Sequence, residues 1–272
     1  MTVSLVSDKK IAETSSKGNQ EKWFDRESGK WYKLDQFGYE ALAETVTSAL
    51  LEHSNIESDT AFTFTRYQME KLHVHGRDRN GCVSRNFLRP GQQIVTLSHL
   101  FRQYLGAPLG EKLSKLSSDK KRLAYLVEET AALTGLEAFP QYLTLLFEVD
   151  ALVLNEDRHL NNIAVLERGG RFDYCPIFDN GAGLLSNTQI YQMDIDPKAL
   201  IPTVQARPFN TSFNRQISNA RALYGQQLHL PKLRREDIET IVAPCLEYYA
   251  ARDRGLILDR VCACLLTRQK SL

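Results

Sequence analysis

The stretch Pro140–Asn155, PQYLTLLFEVDALVLN, constrains this chain more than any other. Proline stands in its first turn, where a missing N–H does no harm, and apolar residues follow almost all the way round. A helix of this kind has no face to offer water, so it must be packed on every side. It is shorter than the ~18 residues that a membrane-spanning helix needs. The stretch is therefore expected to be a core helix, with further helices built around it. With 272 residues and 43% apolar residues, the chain can form one large domain or two lobes around such a core.

On either side of that helix the pattern changes. Lys9–Leu34 reads as three short strands with turns at Thr14–Gln20 and Asp25–Lys30, where Gly29 can take positive φ. A helix follows from about Gly38 to His53, with Tyr39, Leu42, Ala43, Val46, Ala49 and Leu50 at the three-and-four spacing of one buried face. Alternation between Thr60 and Leu97 implies more strands. Beyond Leu97 the chain turns helical. Ser117–Gly135 has a Ser cap and a terminal Gly, and two last helices are expected at about Arg235–Arg252 and Leu256–Thr267. A strand-rich first third and a helix-rich remainder predict two unequal lobes of an α+β protein.

The core helix runs straight into NEDRHLNN, followed by a strand (IAVL), a turn (ERGGR), a second strand (FDYCPIF) and the FDNG that contains Asp179. Alone, either polar piece is a solvated turn. Together, between apolar strands, they set oxygen ligands on neighbouring rims. Mg²⁺ takes few protein ligands and fills its shell with water and phosphate oxygens, which suits one Asn and one Asp. Asp157 and Asn162 have the D-x-x-x-x-N spacing that sets a proton acceptor for a substrate hydroxyl beside a metal-binding carboxamide, and Asp179 is the second metal ligand. In the first lobe, Lys33 lies on the third strand, and Glu40 and Glu44 lie one turn apart on the next helix. That order permits a lysine that grips phosphates and a glutamate that orients it. Backbone amides in the turn SSKGNQEK could cradle phosphate oxygens.

DRHxxN followed by an apolar residue, and then IFDNG, resembles the catalytic and metal-binding segments of phosphatidylinositol-3/4-kinase-like enzymes. SSKGNQEK (Ser15–Lys22) is similar to the Ser-x-Gly-Gly-x-Gln-x-Lys loop of HipA-like serine/threonine kinases. WYKLDQFGYEALAETVTSALLEHSN is similar to compact HipA-type kinases, which include the cell-translocating kinase A group. The likeness runs from about Ser15 to Gly183. It implies a two-lobed protein-kinase-like fold, with a small N-lobe at 1–95 and a larger helical C-lobe at 96–272. It implies Asp157 as catalytic base, His159 as organiser of the catalytic loop, Asn162 and Asp179 as Mg²⁺ ligands, and Lys33 with Glu44 as the phosphate grip. Ser15, Ser16, Gly18, Gln20 and Lys22 fall in the nucleotide loop. Ser15 matches the serine whose autophosphorylation silences HipA-type kinases; Ser16 beside it leaves the choice of serine open, and Lys17 stands where the family has glycine. Because the chain starts close to this loop, it is expected to lack the N-terminal subdomain of full-length HipA and much of its antitoxin-contact surface.

The resulting expectation is an ATP- and Mg²⁺-dependent serine/threonine kinase that phosphorylates a protein substrate and itself, as a toxin or effector, with an antitoxin or regulatory partner. Two alternatives stand beside it: a phosphoinositide or small-molecule kinase, and a catalytically inactive regulator that binds nucleotide. A net charge of +1 gives no bulk attraction to nucleic acid or membrane, so neither is expected as a partner. MTVSLVSDKK is too short and too polar for a signal peptide, and the cytoplasm is the expected compartment, with export as an effector left open. Cys82, Cys175, Cys245, Cys262 and Cys264 are odd in number and lack metal spacing, so reduced, buried thiols are expected. His73 and His75 would share one face of a strand as surface histidines. The polar run Leu185–Ser218 reads either as a substrate-facing activation segment or as an ordered excursion.

Overall fold

The computed structural model describes residues 3–5, 20–106 and 109–272. Two sheets divide the strands. The first sheet combines β1 (Val3–Leu5), β2 (Lys22–Asp25), β3 (Lys30–Leu34), β4 (Tyr67–Val74) and β5 (Arg77–Arg85) in the order β1-β4-β5-β3-β2. All its pairings are antiparallel except β1 with β4. The β2–β3 turn forms as expected: Gly29 has φ +66°, and the Asp25 carboxylate accepts the Ser28 hydroxyl at 2.7 Å. Between β3 and β4 the chain forms α1 (Glu40–Leu51) and the single turn α2 (Ile56–Asp59). The expected turn at Thr14–Gln20, and the strand before it, lie outside the described residues apart from Gln20.

Residues 86–92 cross to the second sheet, in which β6 (Gln93–Thr96) pairs with β7 (Ala164–Arg168), and β7 with β8 (Arg171–Tyr174). The helical body comprises α3 (Leu97–Leu105), α4 (Leu109–Ser114), α5 (Asp119–Thr134), α6 (Phe139–Val153), α7 (Pro197–Leu200), α8 (Phe213–Tyr224), α9 (Arg235–Leu246) and α10 (Ala251–Arg268). The expected core helix is α6, and from Tyr142 onward every residue in it is buried. It carries two carboxylates into the core, and each is satisfied there. Glu148 accepts Arg221 at 2.5 Å and the amides of Gln227 and Leu228, and Asp150 pairs with Arg158. Unpaired, either charge would be prohibitive at that depth.

Several expectations need correction. The alternation in Ala61–Tyr67 does not form a full strand: Phe64 makes a single parallel bridge to Ile177, and the strand starts only at Tyr67. The long segment 185–218, for which an ordered excursion was one of the two readings, does hold ordered elements. It contains α7, a 3₁₀ turn at Ile201–Thr203 and the start of α8, which Ser212 caps. The apolar face of α8 is sparse, with Phe213, Ile217 and Ala220 among Asn, Arg and Gln, so its periodicity is faint. The last two helices break at Glu247–Ala250, earlier than the pattern suggested. His73 and His75 do not share a strand face. The chain reverses at His75 (φ +51°) and Gly76 (φ +72°), so His73 meets Asp78 while His75 meets Glu21. The five cysteines are free and buried, as expected. Among the described residues no helix is long and apolar enough to cross a membrane.

Gly81 on β5 lies directly over the Lys33 carbonyl and the Leu72 side chain, so an added Cβ would collide with both. Gly81→Ala is expected to destabilise the protein by about 2 kcal/mol, the scale of overpacking a tight interior. Urea denaturation should show this as a lower midpoint with an unchanged slope.

Candidate active site

The strand pair β2–β3 sets Lys22 opposite Lys33, and β3 turns the Lys33 side chain inward. Its ammonium bonds to Glu44 of α1 and, at 2.6 Å, to Asp179 Oδ1, and lies 5.0 Å from the centre of the Tyr67 ring. Burial works against the Lys33 charge, but Asp179 and then Glu44 outweigh it and hold its pKa well above the ordinary lysine value. Asp179 is the mirror case. Burial would raise its pKa, but Lys33, Lys22 and Arg158 together hold it well below the carboxylate range. Lys22 stands 3.8 Å from the other Asp179 oxygen. The second oxygen of Glu44 accepts the Asn180 amide at 2.8 Å. One glutamate thus ties the lysine to the backbone just after Asp179. Asp179 itself sits at φ +63°, a left-handed conformation that Asp tolerates better than most residues.

The second cluster lies at the end of α6. Asn162 donates its carboxamide nitrogen to the Asp157 carbonyl at 2.8 Å and to its carboxylate at 3.2 Å. His159 Nε2 is 3.7 Å from Asp157 Oδ1. Burial raises the Asp157 pKa, His159 opposes the rise, and the negative charge of Asp179 adds to it. Lys33 and Asp179 of the first cluster and Asp157, His159 and Asn162 of the second line one cavity of about 1220 Å³, together with Gln20, Lys22 and apolar residues that include Tyr67, Ile94 and Phe178; Glu44 lies buried behind Lys33.

The expected residues Lys33, Glu44, Asp157, His159, Asn162 and Asp179 are therefore brought together. Gln20 lines the same cavity while its side chain donates to the Leu34 carbonyl at 2.7 Å. Ser15, Ser16 and Gly18 lie outside the described residues. Glu40 does not join the lysine; its carboxylate accepts the amides of Gln36, Phe37 and Gly38 in the turn before α1.

Sequence reasoning missed the group that holds the two clusters in register. Arg158, 1% exposed, pairs with Asp150 through Nε and Nη2, at 3.0 Å in each case at closest. It also donates to the carbonyls of Asn162 (3.1 Å) and Phe178 (2.8 Å) and to Asn180 Oδ1 (2.8 Å). Asn155 adds bonds to Asp150 and to the Asp179 carbonyl. A signal was present: two carboxylates within an otherwise apolar helix, and an arginine in the polar run that follows it.

A second missed feature joins the lobes. Tyr39 and Thr188 donate their amides to Ser186 O and Phe37 O, the Tyr39 hydroxyl reaches Leu184 O, and Gly38 bridges Asn187. A side chain on Gly38 would strike the Ser186 carbonyl. Farther along, Tyr191 donates to Glu156 at 2.6 Å, and buried Arg260 donates to the carbonyls of Tyr191 and Gln192.

No protein-family description matches the chain, and no curated protein matches its sequence. Solved structures do. The proinflammatory kinase CtkA of Helicobacter pylori superposes with a TM-score of 0.59 at 15% identity, over 94% of this chain and 92% of CtkA. The fold is that of the HipA-like kinases. HipA of Shewanella oneidensis, solved with HipB and operator DNA, gives a TM-score of 0.50 at 14% identity, over 94% of this chain and 65% of HipA.

The Arg158–Asp150 pair allows a direct check. Arg158→Leu leaves Asp150 charged and buried without its partner, and is expected to destabilise the protein by about 3–5 kcal/mol. Combining Arg158→Leu with Asp150→Leu should restore much of that stability without restoring order at Asn162 and Asp179. Thermal unfolding and amide NMR of the two segments would separate these outcomes.

Proposed function

We propose that this chain is an ATP- and Mg²⁺-dependent kinase that phosphorylates serine or threonine on a protein, itself included. One observation carries the proposal. A buried lysine bonded to both Glu44 and Asp179 shares a cavity with a half-exposed Asp157 fastened to Asn162. That constellation matches what phosphoryl transfer requires: a grip on phosphate, oxygen ligands for a cation, and an acceptor for the hydroxyl proton.

The donor set fits Mg²⁺. Among the described residues no three His, Cys, Asp or Glu surround one point, and Mg²⁺ asks for no such cage. The Asn162 nitrogen is committed to Asp157, so its oxygen is the donor left for a cation, and Asp179 stays ionised beside it. Asn162 and Asp179 would hold the ion, which would supply positive charge to offset that of the phosphates. Lys33, oriented by Glu44, would bind phosphate, and Lys22 would add a second positive charge. Asp157 would take the acceptor hydroxyl proton at its carboxylate. The raised pKa makes it a better base than a free aspartate, while Asn162 keeps it aimed. Glu156, Ile190 and Arg207 also line the cavity and would face the acceptor. One apolar and two opposite charged side chains suit a polypeptide better than a polyphosphorylated headgroup, which would need several cations.

Regulation by modification of Ser15 or Ser16, and by an antitoxin-like partner, belongs to the same proposal. Its support is the nucleotide-loop motif and the fold shared with a HipA that was solved with HipB.

Asp157→Asn should keep Mg-ATP binding and lower phosphotransfer by about 10²–10⁴-fold, the usual contribution of a positioned base. Labelled ATP with Mg²⁺, followed by mass spectrometry, should find phosphate on the wild-type chain and none on Asp157→Asn or Asp179→Ala. Labelling of phosphoinositide vesicles with no label on protein would reassign the acceptor. Undiminished phosphorylation in Asp157→Asn would overturn the site.

A further inference from the structure

Asp35 lies two residues beyond Lys33, just past the end of β3, and has no part in the chemistry above. Its carboxylate nevertheless touches two other elements. Oδ1 accepts the amide of Ala41 in the first turn of α1 at 2.6 Å, and Oδ2 accepts the Tyr249 hydroxyl at 2.7 Å. Tyr249 comes from the break between α9 and α10, in the opposite lobe. That break is braced by Arg254, which donates to the Tyr249 and Glu247 carbonyls, and Tyr248 beside it donates to the Met69 carbonyl of β4 at 3.0 Å. One carboxylate therefore joins the strand of Lys33, the helix of Glu44 and the far lobe.

We propose that Asp35 and Tyr249 are positioning residues, which fix the Lys33-bearing strand against the Glu44-bearing helix from the C-terminal helical pair. The inference rests on the kinase reading for the role of Lys33. It concerns residues outside the cleft.

The ionised form of Asp35 makes the latch. An anion can accept from Ala41 and Tyr249 together, and bonds to a charged acceptor are roughly twice as strong as neutral ones. Protonation turns one oxygen into a donor and loses one of the two acceptances. The groups facing Asp35 are Glu40 of α1, Arg79 and buried Cys82 of β5, and Tyr249 itself; Arg79 also donates to the Asp35 carbonyl at 2.6 Å and lies 3.7 Å from Glu21. Burial pushes Asp35 up to about 7, the Ala41 and Tyr249 hydrogen bonds oppose this, and Glu40 adds to it. The latch therefore engages as pH rises through neutrality. Stability moves the other way. An acid whose pKa is raised by folding loses stability as pH climbs from its unfolded pKa, near 4, to its folded one, near 7.

The test compares wild type, Asp35→Asn and Tyr249→Phe between pH 5 and 8.5. Mg-ATP affinity by calorimetry and kcat/KM for ATP should rise through an inflection near 7 in wild type. They should be flat there in Asp35→Asn, and the inflection should move upward in Tyr249→Phe, which lacks a bond that favours the anion. At pH 8 Asp35→Asn should lose about tenfold in kcat/KM for ATP, the scale of one charge-assisted hydrogen bond. KM for the protein acceptor should stay within about twofold, since the acceptor side is untouched. The melting temperature of Asp35→Asn relative to wild type should rise with pH. Protection of the Ala41 amide, with exchange corrected for its intrinsic rise with pH, should increase above neutrality in wild type and not in Asp35→Asn. If no variant binds Mg-ATP at any pH, the kinase reading fails, and exchange and melting still decide the latch. Equal pH dependence of Ala41 exchange and melting in wild type and Asp35→Asn overturns it, as does unchanged ATP-side behaviour in an active enzyme.

Discussion

The buried pair Arg158–Asp150 is the constraint on which the site depends. A guanidinium in the core must satisfy five donors, and the nearest carboxylate takes only part of that demand. The rest goes to Asn162 O, Phe178 O and the Asn180 side chain. Those acceptors belong to the two segments whose side chains meet across the cleft. Asp157, Asn162 and Asp179 thus keep their spacing because their backbones hang from one rigid fork. The pair contributes little as stability, since two apolar residues would suffice for that. Its value lies in geometry.

Lys33 poses the complementary problem, because it is held from two directions at once. Glu44 contributes one oxygen to the ammonium and the other to the Asn180 amide, so the helix of the small lobe reads the backbone position of the large one. Glu44 is fully buried and Lys33 nearly so, which strengthens their attraction and makes misplacement of either expensive. Lys33 and Asp179 neutralise each other across 2.6 Å. Under the proposed function, a triphosphate and its cation would have to replace that contact.

Much of this was legible in the sequence. The helix Pro140–Asn155 and the run from Asp157 to Asn162 stood out together. A helix that is apolar all round must lie in a core, and polar residues clustered at its end are then held at the rim of that core. Lys33 and Glu44 were weaker alone and gained weight from their order along the chain. The start of the alternating region misled because Phe62 and Phe64 are buried beside a single bridge to Ile177, and burial on alternate positions looks the same with or without a ladder. The imidazole pair failed for a similar reason: one residue of left-handed backbone undoes a two-residue period. Arg158 was passed over because its partner lies eight residues upstream, inside a helix read for its apolar residues, while Arg158 itself sits in a run read as polar rim. Asp35 and Tyr249 are separated by more than two hundred residues, and no local pattern links them.

The seam between Phe37–Tyr39 and Leu184–Thr188 bears on how chains of this fold can be recombined. Tyr39 and Thr188 each donate both an amide and a hydroxyl across it, and the main-chain bonds close only because position 38 has no side chain. Sequence drift away from those two hydroxyls is therefore tolerated, provided the glycine stays. A graft of the small lobe onto a related large lobe succeeds or fails at that one residue and at the path of the strap opposite it. The contents of the cleft would matter less. In this fold, one glycine keeps open the place where the two halves are sewn together.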